Sequence, residues 1–362
     1  MIYLYFIILF LFSIYSFALL DPNLTLINTR LWEIFRNNMV FLGYHQRMIS
    51  SVIYLFFIFI FFYFNYFFVK NYKSLNVKRL ALISGLILIF SYPFLSHDFF
   101  NYMFDAKIST FYHKNPYFFK ALDFPNDPWL IFMHWTHRTY PYGPIFLPLT
   151  LIPSFLSFGK LILNFLFFKI FFFLFYLFGV HYLLKMNKKH AVFFATSPLI
   201  LIEGLVNSHN DIVALTLKLI GIYYLLKNNI LSRIFLLASG GIKYITFPFV
   251  FLFRKRNAFL NKVILASIFL ILLYTPFFIE IQPWYFLVLF ALLPFYVKLV
   301  YSLNIFFAGL LFSYYPYIAL GDLRTKGNIE IKHWIIFIFF IVNLIYLFLY
   351  NFIRRNKNEK NI

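Results

Sequence analysis

The sequence predicts an all-α membrane protein, a bundle of about ten transmembrane helices supplemented by re-entrant or interfacial helices. Hydrophobic residues make up 62% of the chain and charged residues only 12%, about half the share that a soluble domain carries. So few charges could not cover the apolar atoms of a water-soluble fold, so the bilayer must act as the solvent. We expect one integral membrane domain over residues 1–362, because no linker or short-period repeat divides the chain.

The predicted spans are apolar stretches close to the length of about 20 residues that a helix needs to cross the hydrocarbon core. They cover residues 2–20, 50–69, 79–96, 161–184, 191–205, 212–226, 259–279, 285–300, 302–320 and 334–353. The first stretch has no basic segment before it and no small-residue cleavage site after it, so we expect a retained span rather than a signal peptide.

Two further apolar stretches are predicted to be irregular. Residues 144–158 contain three prolines and are expected to form a short interfacial or re-entrant helix. Residues 229–253 contain Gly240-Gly241 at their middle. We expect two half-helices that meet at these glycines and are buried in protein or line a cavity.

The net charge of +20 is distributed in short basic runs between the spans. This pattern is typical of cytoplasmic loops under the positive-inside rule and argues against nucleic acid as a partner. The chain has no cysteine, which excludes disulfides, thiolate nucleophiles and zinc-thiolate sites. The runs are Lys70, Lys73, Lys78 and Arg79; Lys185, Lys188 and Lys189; Arg254, Lys255 and Arg256; and Arg354, Arg355, Lys357 and Lys360.

The chain has only twelve acidic residues, and most of them fall on the predicted outer side of the membrane. A carboxylate near the bilayer centre costs about 2.5–3.5 kcal/mol on insertion scales, so these acids belong at the rim or in a wet cavity. Their gathering from distant segments suggests a site, although exclusion of acids from spans would also place each of them in a loop. They are Asp98, Asp105, Asp123, Asp127, Glu203, Asp211 and Glu280.

Residues 97–143 are predicted to form an extracytoplasmic loop that begins with an amphipathic helix. In that helix Tyr102 and Asp105 lie one and two turns after Asp98 and share its face. Phe99, Met103 and Phe104 of this helix are expected to face mainly lipid. Turn signals at Asn115-Pro116-Tyr117 and around Tyr142 close the segment.

Polar residues also cluster at the turn near 204–211, where Glu203 is followed by His209, Asn210 and Asp211. Asp211 alone could be an N-cap for the helix that follows. Three hydrogen-bonding side chains in a row exceed what a cap needs, which favours a role in a site.

Two later positions could reach the same face. Lys243 follows the double glycine, where it would point into the outer cavity or extend to the membrane interface. Trp284 and Tyr285 begin a later span, and anchoring in the aromatic belt would also explain them.

Carboxylates with a few cations at a membrane surface suit the transfer of a sugar from a lipid phosphate. One carboxylate can take the proton of the attacking hydroxyl as a general base. The leaving phosphate needs cations and N–H donors rather than a second acid. The candidate cations are Lys107, Arg138, His209 and Lys243. The sequence has no Asp-x-Asp pair, P-loop or dinucleotide fingerprint, which argues against a nucleotide-sugar donor.

These residues occur in an order that resembles the GT-C superfamily of polyprenyl-phosphate-sugar-dependent glycosyltransferases, in particular the prokaryotic polyprenyl-phosphate-mannose mannosyltransferases. The resemblance extends from about Phe94 to Tyr285. Its motifs are Asp98 with Phe100 and Tyr102, Asp105-Ala106-Lys107, Asn115-Pro116-Tyr117, Trp135, Tyr142-Gly143-Pro144, Ser197-Pro198-Leu199, Glu203, His209-Asn210-Asp211, Lys243 and Trp284-Tyr285.

The resemblance implies a GT-C-like multi-pass protein of the cell membrane with an extracytoplasmic site, inverting transfer and Asp98 as the catalytic base. The donor would be a polyprenyl-phosphate sugar, with mannose the expected hexose, and the acceptor a lipid, glycan or protein. No metal ligands are predicted, and a requirement for a divalent cation stays open. The residues expected to bind substrate are Tyr102, Asp105, Lys107, Asn115, Arg138, Tyr142, Glu203, His209, Asn210, Asp211, Lys243, Trp284 and Tyr285.

Two other functions compete with this one. A transporter or flippase of polyprenyl-linked or other lipids would also span the membrane many times, but it would usually show internal repeats. A non-catalytic membrane subunit would tolerate replacement of the acids.

Overall fold

The computed structural model describes residues 1–225, 227–252, 258–278, 280–322 and 325–359, and within these ranges every regular element is a helix. The α-helices are α1 (Ile2–Tyr15), α2 (Arg30–Val40), α3 (Arg47–Lys70), α4 (Val77–Ile89), α5 (Asp98–Thr110), α6 (Phe146–Leu156), α7 (Leu161–Met186), α8 (Lys188–Thr196), α9 (Asp211–Tyr224), α10 (Asn229–Gly240), α11 (Ala258–Phe278), α12 (Val297–Ser302), α13 (Asn304–Phe312) and α14 (Lys326–Glu359). The basic run at 254–256 and Lys360 lie outside the described residues.

Four helical segments in the described part of the chain are long and apolar enough to cross a membrane: Ile2–Leu19, Arg47–Lys70, Leu161–Met186 and Lys326–Leu349. They confirm the predicted helices at 2–20, 50–69, 161–184 and 334–353. Large apolar side chains on these segments point away from the protein, such as Tyr3 at 73% exposed and Phe348 at 71%. Such surfaces fit a lipid environment.

The predicted span at 191–205 is a bent pair, in which α8 and a π-helix at Ile200–Val206 meet at an angle of 64°. The bend falls at Ser197, whose backbone is extended with φ −63° and ψ 125°. Pro198 follows and disfavours the α conformation for the residue before it. The apolar run therefore gives one broken segment rather than one straight helix.

The predicted spans at 285–300 and 302–320 correspond to shorter apolar helices at Pro283–Leu292 and Asn304–Leu320, which are not among the four membrane-length segments. The first is a 3-10 helix, and the second ends in a π-helix at Pro316–Leu320. Helices α4 and α9 are also shorter than the predicted spans 79–96 and 212–226, and position 226 lies outside the described residues. Hydropathy reports how apolar a stretch is and not its backbone geometry, so a total of about ten crossings stays a prediction.

The two irregular segments contain the predicted short helix and the predicted break at the glycines, whereas their place in the membrane stays a prediction. Residues 144–158 contain the short helix α6, and α10 ends at Gly240 before a 3-10 helix at Tyr244–Phe251. Asn228 starts α10, because its side-chain oxygen accepts the backbone N–H of Leu231 at 3.0 Å.

Helix α9 lies at the centre of the fold, with residues 211–222 all buried. It packs against α7 and α10, and α7 also packs against α4, α6 and α8. Because α9 begins at Asp211, this packing carries one of the scarce acids into the interior of the protein.

Glycine permits close helix packing at the C-terminal end of the chain. A Cβ added to Gly309 in α13 would overlap the Cβ and Cγ of Phe339 in α14, whereas one added to Gly327 meets nothing within 4 Å. Small residues at such positions let membrane helices approach closely.

We predict that Gly309→Ala lowers the free energy of unfolding by about 1–3 kcal/mol, the usual cost of overpacking. The control Gly327→Ala should be neutral or stabilising by up to about 1 kcal/mol, because alanine favours helix. Denaturant unfolding in detergent measures both. Equal stability of the two variants would contradict the packing of α13 on α14.

Candidate active site

Asp98 lies at the start of the predicted extracytoplasmic segment 97–143. Helix α5 begins at this residue, and the backbone N–H of Asp98 donates to Ser96 Oγ at 3.3 Å. The side chain of Asp98 stays 19% exposed. Its carboxylate is therefore accessible at the start of a helix, where a negative charge is favoured by the helix dipole.

The rest of α5 is buried on every side from Phe99 to Ile108. The prediction that Phe99, Met103 and Phe104 face lipid is wrong, since each is 0% exposed. Phe99 packs on Phe165 of α7 with ring centroids 5.3 Å apart. An apolar helix face packs equally well on lipid or on protein, so its pattern does not distinguish them.

The second polar segment follows the π-helix at Ile200–Val206. Glu203 is fully buried and accepts a hydrogen bond from Asn207 Nδ2 at 3.1 Å. Ser208 has a left-handed backbone with φ 57°, and the backbone N–H of His209 then returns to the carbonyl of Glu203 at 2.9 Å. This tight turn aims the next side chain back toward the π-helix.

His209 lies between two carboxylates. Its Nε2 is 3.4 Å from Glu203 Oε2 and its Nδ1 is 3.8 Å from Asp98 Oδ2. The imidazole also stacks on Trp284, with ring centroids 3.8 Å apart and planes inclined by 17°. Burial, with Lys243 adding to it, lowers the pKa of His209 well below its ordinary value. A neutral imidazole carries one N–H, so His209 can donate to only one of the two carboxylates at a time and makes no ion pair with either.

Asp211 and Lys243 form an ion pair with Nζ to Oδ2 at 2.9 Å, and their side chains are 7% and 21% exposed. The N-cap of α9 is Asn210, which makes no side-chain capping bond, so capping does not explain Asp211. The ammonium of Lys243 also lies 5.7 Å from the ring centroid of Tyr285. Lys243 thus contacts the 203–211 segment and the Trp284-Tyr285 pair.

Tyrosines connect this cluster to α5. The hydroxyl of Tyr102 accepts the backbone N–H of Asn210 at 3.4 Å, and its ring meets that of Tyr142 at 4.8 Å. Next to Tyr142, a Cβ at Gly143 would overlap the carbonyl oxygen of Gly241. The second turn signal of the 97–143 segment therefore packs directly on the break in the 229–253 hairpin.

The two acids of α5 differ in their surroundings. Burial raises the pKa of Asp105 to about 8, with Arg138 lowering it and Asp98 raising it further. Burial also raises the pKa of Asp98, but Lys243 and Arg138 oppose the rise. Asp98 is thus the acid with more cations beside it and with a more accessible side chain, which favours its ionised form.

Three predicted residues lie apart from this cluster. Lys107 pairs with Asp127, and its ammonium lies 3.9 Å from the ring centroid of Trp129. Asn115 lines an open cavity of about 540 Å³. Arg138 is exposed and lies over Trp135 at 4.5 Å, so it acts on the acids of α5 only through its charge.

Two buried lysines outside the predicted set support the site. Lys169 in the middle of α7 donates to backbone carbonyls of the 205–208 turn. Lys332 of α14 pairs with Glu280 at 2.7 Å and donates to Gln282 at 2.9 Å, just before Trp284. Each is a cation inside an apolar helix, which is the signal that marks functional residues in membrane proteins. Among the described residues no group of three or more histidines and acids is arranged to hold a metal ion.

The described residues form a helical protein with membrane-length helices and an inner cluster of carboxylates, cations and aromatic rings, which defines a candidate membrane enzyme. Residues 9–254 match the model of the MptA_B family, described as alpha-(1->6)-mannopyranosyltransferase, N-terminal domain. The match covers more than half of the chain, so the protein belongs to this family and is a glycosyltransferase of the mannosyltransferase class. No curated protein and no solved structure significantly matches the chain. Trp284 and Tyr285 lie beyond the matched residues.

We predict that Asp105 makes the stability of the protein depend on pH. An acid whose pKa rises from 3.8 to about 8 on folding stabilises the native state below the lower value, and this stabilisation is lost as the pH rises through the higher one. Thermal unfolding of the wild type should therefore shift downward between pH 5 and pH 8.5, and Asp105→Asn should reduce that shift. An unchanged shift in the variant would contradict a buried, protonated Asp105.

Proposed function

We propose that the protein transfers mannose from a polyprenyl-phosphate carrier to a lipid, glycan or protein acceptor at the outer face of the cell membrane, with a GT-C-like architecture. The observation that carries the proposal is the meeting of Asp98, His209, Asp211 and Lys243 from three distant segments. It provides a carboxylate base and a cation for the departing phosphate in one partly open site.

The reaction needs one displacement. The acceptor hydroxyl attacks the anomeric carbon of the donor, and its proton passes to the carboxylate of Asp98. The bond between that carbon and the phosphate oxygen breaks, and the electron pair leaves with the phosphate. One displacement inverts the anomeric configuration, as in other inverting enzymes that act on glycosidic carbon. Lys243 meets the negative charge of the phosphate.

The chain after Lys243 offers an apolar path for a lipid tail. In the 3-10 helix Tyr244–Phe251, the side chains of Tyr244, Phe247 and Phe251 are 72%, 44% and 55% exposed. A phosphate bound at Lys243 would place its polyprenyl chain beside these side chains, where the burial of apolar area favours binding. This juxtaposition of a cation and exposed apolar rings supports a lipid-linked donor.

The acceptor is proposed to bind at a second place, the open cavity beside Asn115. The cavity at Asn115 is lined in part by Ser109, Lys114 and Tyr117. From Tyr117 the rings of Tyr140, Tyr142 and Tyr102 follow one another with centroids 5.1, 5.4 and 4.8 Å apart. This row of tyrosines ends one helical turn from Asp98. Tyr102 and Tyr140 are buried, so Tyr117, at 41% exposed, is the ring that presents an apolar face and a hydroxyl to a carbohydrate chain.

We predict that Asp98→Asn reduces mannose transfer from a polyprenyl-phosphate donor by about 10²–10⁴-fold, the usual contribution of general base catalysis. Asp123→Asn is the matched control, because Asp123 lies in the same segment, is exposed and accepts only the backbone N–H of Lys120 at 2.9 Å in the described contacts. The control should retain activity. The variants are purified and compared after their membrane insertion has been shown to be equal. A sugar nucleotide is assayed as the alternative donor. Undiminished transfer by Asp98→Asn would refute the assignment of the base, and transfer from the sugar nucleotide would refute the donor.

We also predict that Tyr117→Ala raises the acceptor KM by up to about tenfold while leaving the donor KM unchanged. An aromatic contact contributes about 0.5–1.5 kcal/mol, and about 1.4 kcal/mol corresponds to tenfold. Tyr66→Ala, at a 63% exposed tyrosine of α3, serves as the control. A larger effect on the donor KM than on the acceptor KM would contradict this path.

A further inference from the structure

Lys169 is a cation in the interior of a membrane-length helix. It lies in α7 and is 2% exposed. An ionisable side chain at such a place is costly and is retained where it has specific partners. The proposed transfer reaction makes no direct use of it, because it has no contact with the cluster around Asp98 among those that the structure describes.

All hydrogen-bond partners described for Lys169 are neutral, and most belong to the turn that precedes His209. Its Nζ donates to the carbonyls of Leu205 at 3.0 Å and Val206 at 2.6 Å, with longer contacts to Ser208 Oγ at 3.4 Å and Ser91 Oγ at 3.3 Å. The carbonyls at the end of a helix lack partners within the helix and attract a cation. Lys169 therefore caps the π-helix from a different part of the chain.

The turn that Lys169 caps has an unfavourable backbone. Ser208 has φ 57°, a left-handed conformation that residues other than glycine adopt only when their surroundings hold them in it. The hydroxyl of Ser208 donates to the carbonyl of Leu205 at 2.8 Å, so Lys169 and Ser208 share this acceptor. Release of the amine would remove one of the two groups that bind this carbonyl.

We propose that Lys169 is a positioning residue of the transfer reaction. It holds the turn at Leu205–Ser208 in the shape that stacks His209 on Trp284 and places Asp211 against Lys243. The proposal rests on the proposed function, because it assumes that these residues act on the substrates. It assigns to Lys169 an effect on the rate of transfer that goes beyond the stability of the fold.

The test compares Lys169→Met with Lys218→Met in the full-length protein. Lys218 in α9 is equally buried, but its Nζ makes no hydrogen bond among the described contacts and lies 4.4 Å from the ring centroid of Phe249, so it acts on Asp211 only through its charge. Lys169→Met should lower kcat by about 10²-fold, a loss typical of a misplacement by about 1 Å, with both KM values within about threefold of wild type. Lys218→Met should keep kcat within about threefold.

Hydrogen exchange gives a second readout. Amides of residues 203–211 should exchange faster in Lys169→Met than in wild type or Lys218→Met, whereas amides of α3 should be unchanged. If Lys169→Met does not fold, Lys169→Gln replaces it, because its amide can still donate to a carbonyl. Lys169→Gln should have a kcat below that of Lys218→Met and faster exchange at residues 203–211 than Lys218→Met. A kcat and an exchange rate equal to those of Lys218→Met would overturn the proposal.

Two results separate this proposal from the proposed function. If Asp98→Asn is inactive but Lys169→Met keeps kcat within threefold of wild type, Lys169 has no positioning role although the function stands. If Asp98→Asn is active, the assignment of the base fails, and localised exchange at residues 203–211 in Lys169→Met still tests the capping of the turn.

Discussion

The ion pair between Asp211 and Lys243 is the interaction on which the arrangement of the site depends. It joins the buried start of α9 to the residue after the break in the 229–253 hairpin, at an Nζ to Oδ2 distance of 2.9 Å. A charge buried without its partner costs several kcal/mol, so either residue alone would be unfavourable inside the protein. Together they fix the hairpin against the central helix, and the 21% exposure of Lys243 leaves part of its ammonium available to a ligand.

The other polar groups of the site follow from this pairing. His209 precedes α9 by two positions and contacts Asp98 and Glu203. Gly143 contacts the carbonyl of Gly241 beside the same break, so the end of the 97–143 segment packs on the hairpin at this point. The chain has twelve acids, and several of them lie in one interior site. Because buried carboxylates are costly without partners, this site needs cations, amides and backbone donors from the neighbouring segments.

Much of this arrangement is visible in the sequence. Length and hydropathy predict the four long helices, and the double glycine predicts the break in the hairpin. The scarcity of acids suggests that Asp98, Glu203 and Asp211 belong to one site, although exclusion of acids from lipid would also explain their positions. The family match at 9–254 confirms the mannosyltransferase class that the order of motifs suggested. The roles of the individual residues stay predictions.

Contacts between distant segments could not be predicted from the sequence. Lys107 pairs with Asp127, apart from the cluster around Asp98, and no local pattern specifies that partner. The capping of the 205–208 turn by Lys169 depends on the packing of α7. Burial of α5 depends on helices that arrive later in the chain, because a face suited to lipid is equally suited to protein.

A structure of the Asp98→Asn protein with a bound polyprenyl-phosphate mannose would test the account most directly. We expect the phosphate within contact distance of Lys243, the lipid tail along Tyr244, Phe247 and Phe251, and the anomeric carbon facing position 98. Binding of the phosphate at another face of the protein, with the sugar remote from position 98, would contradict the account.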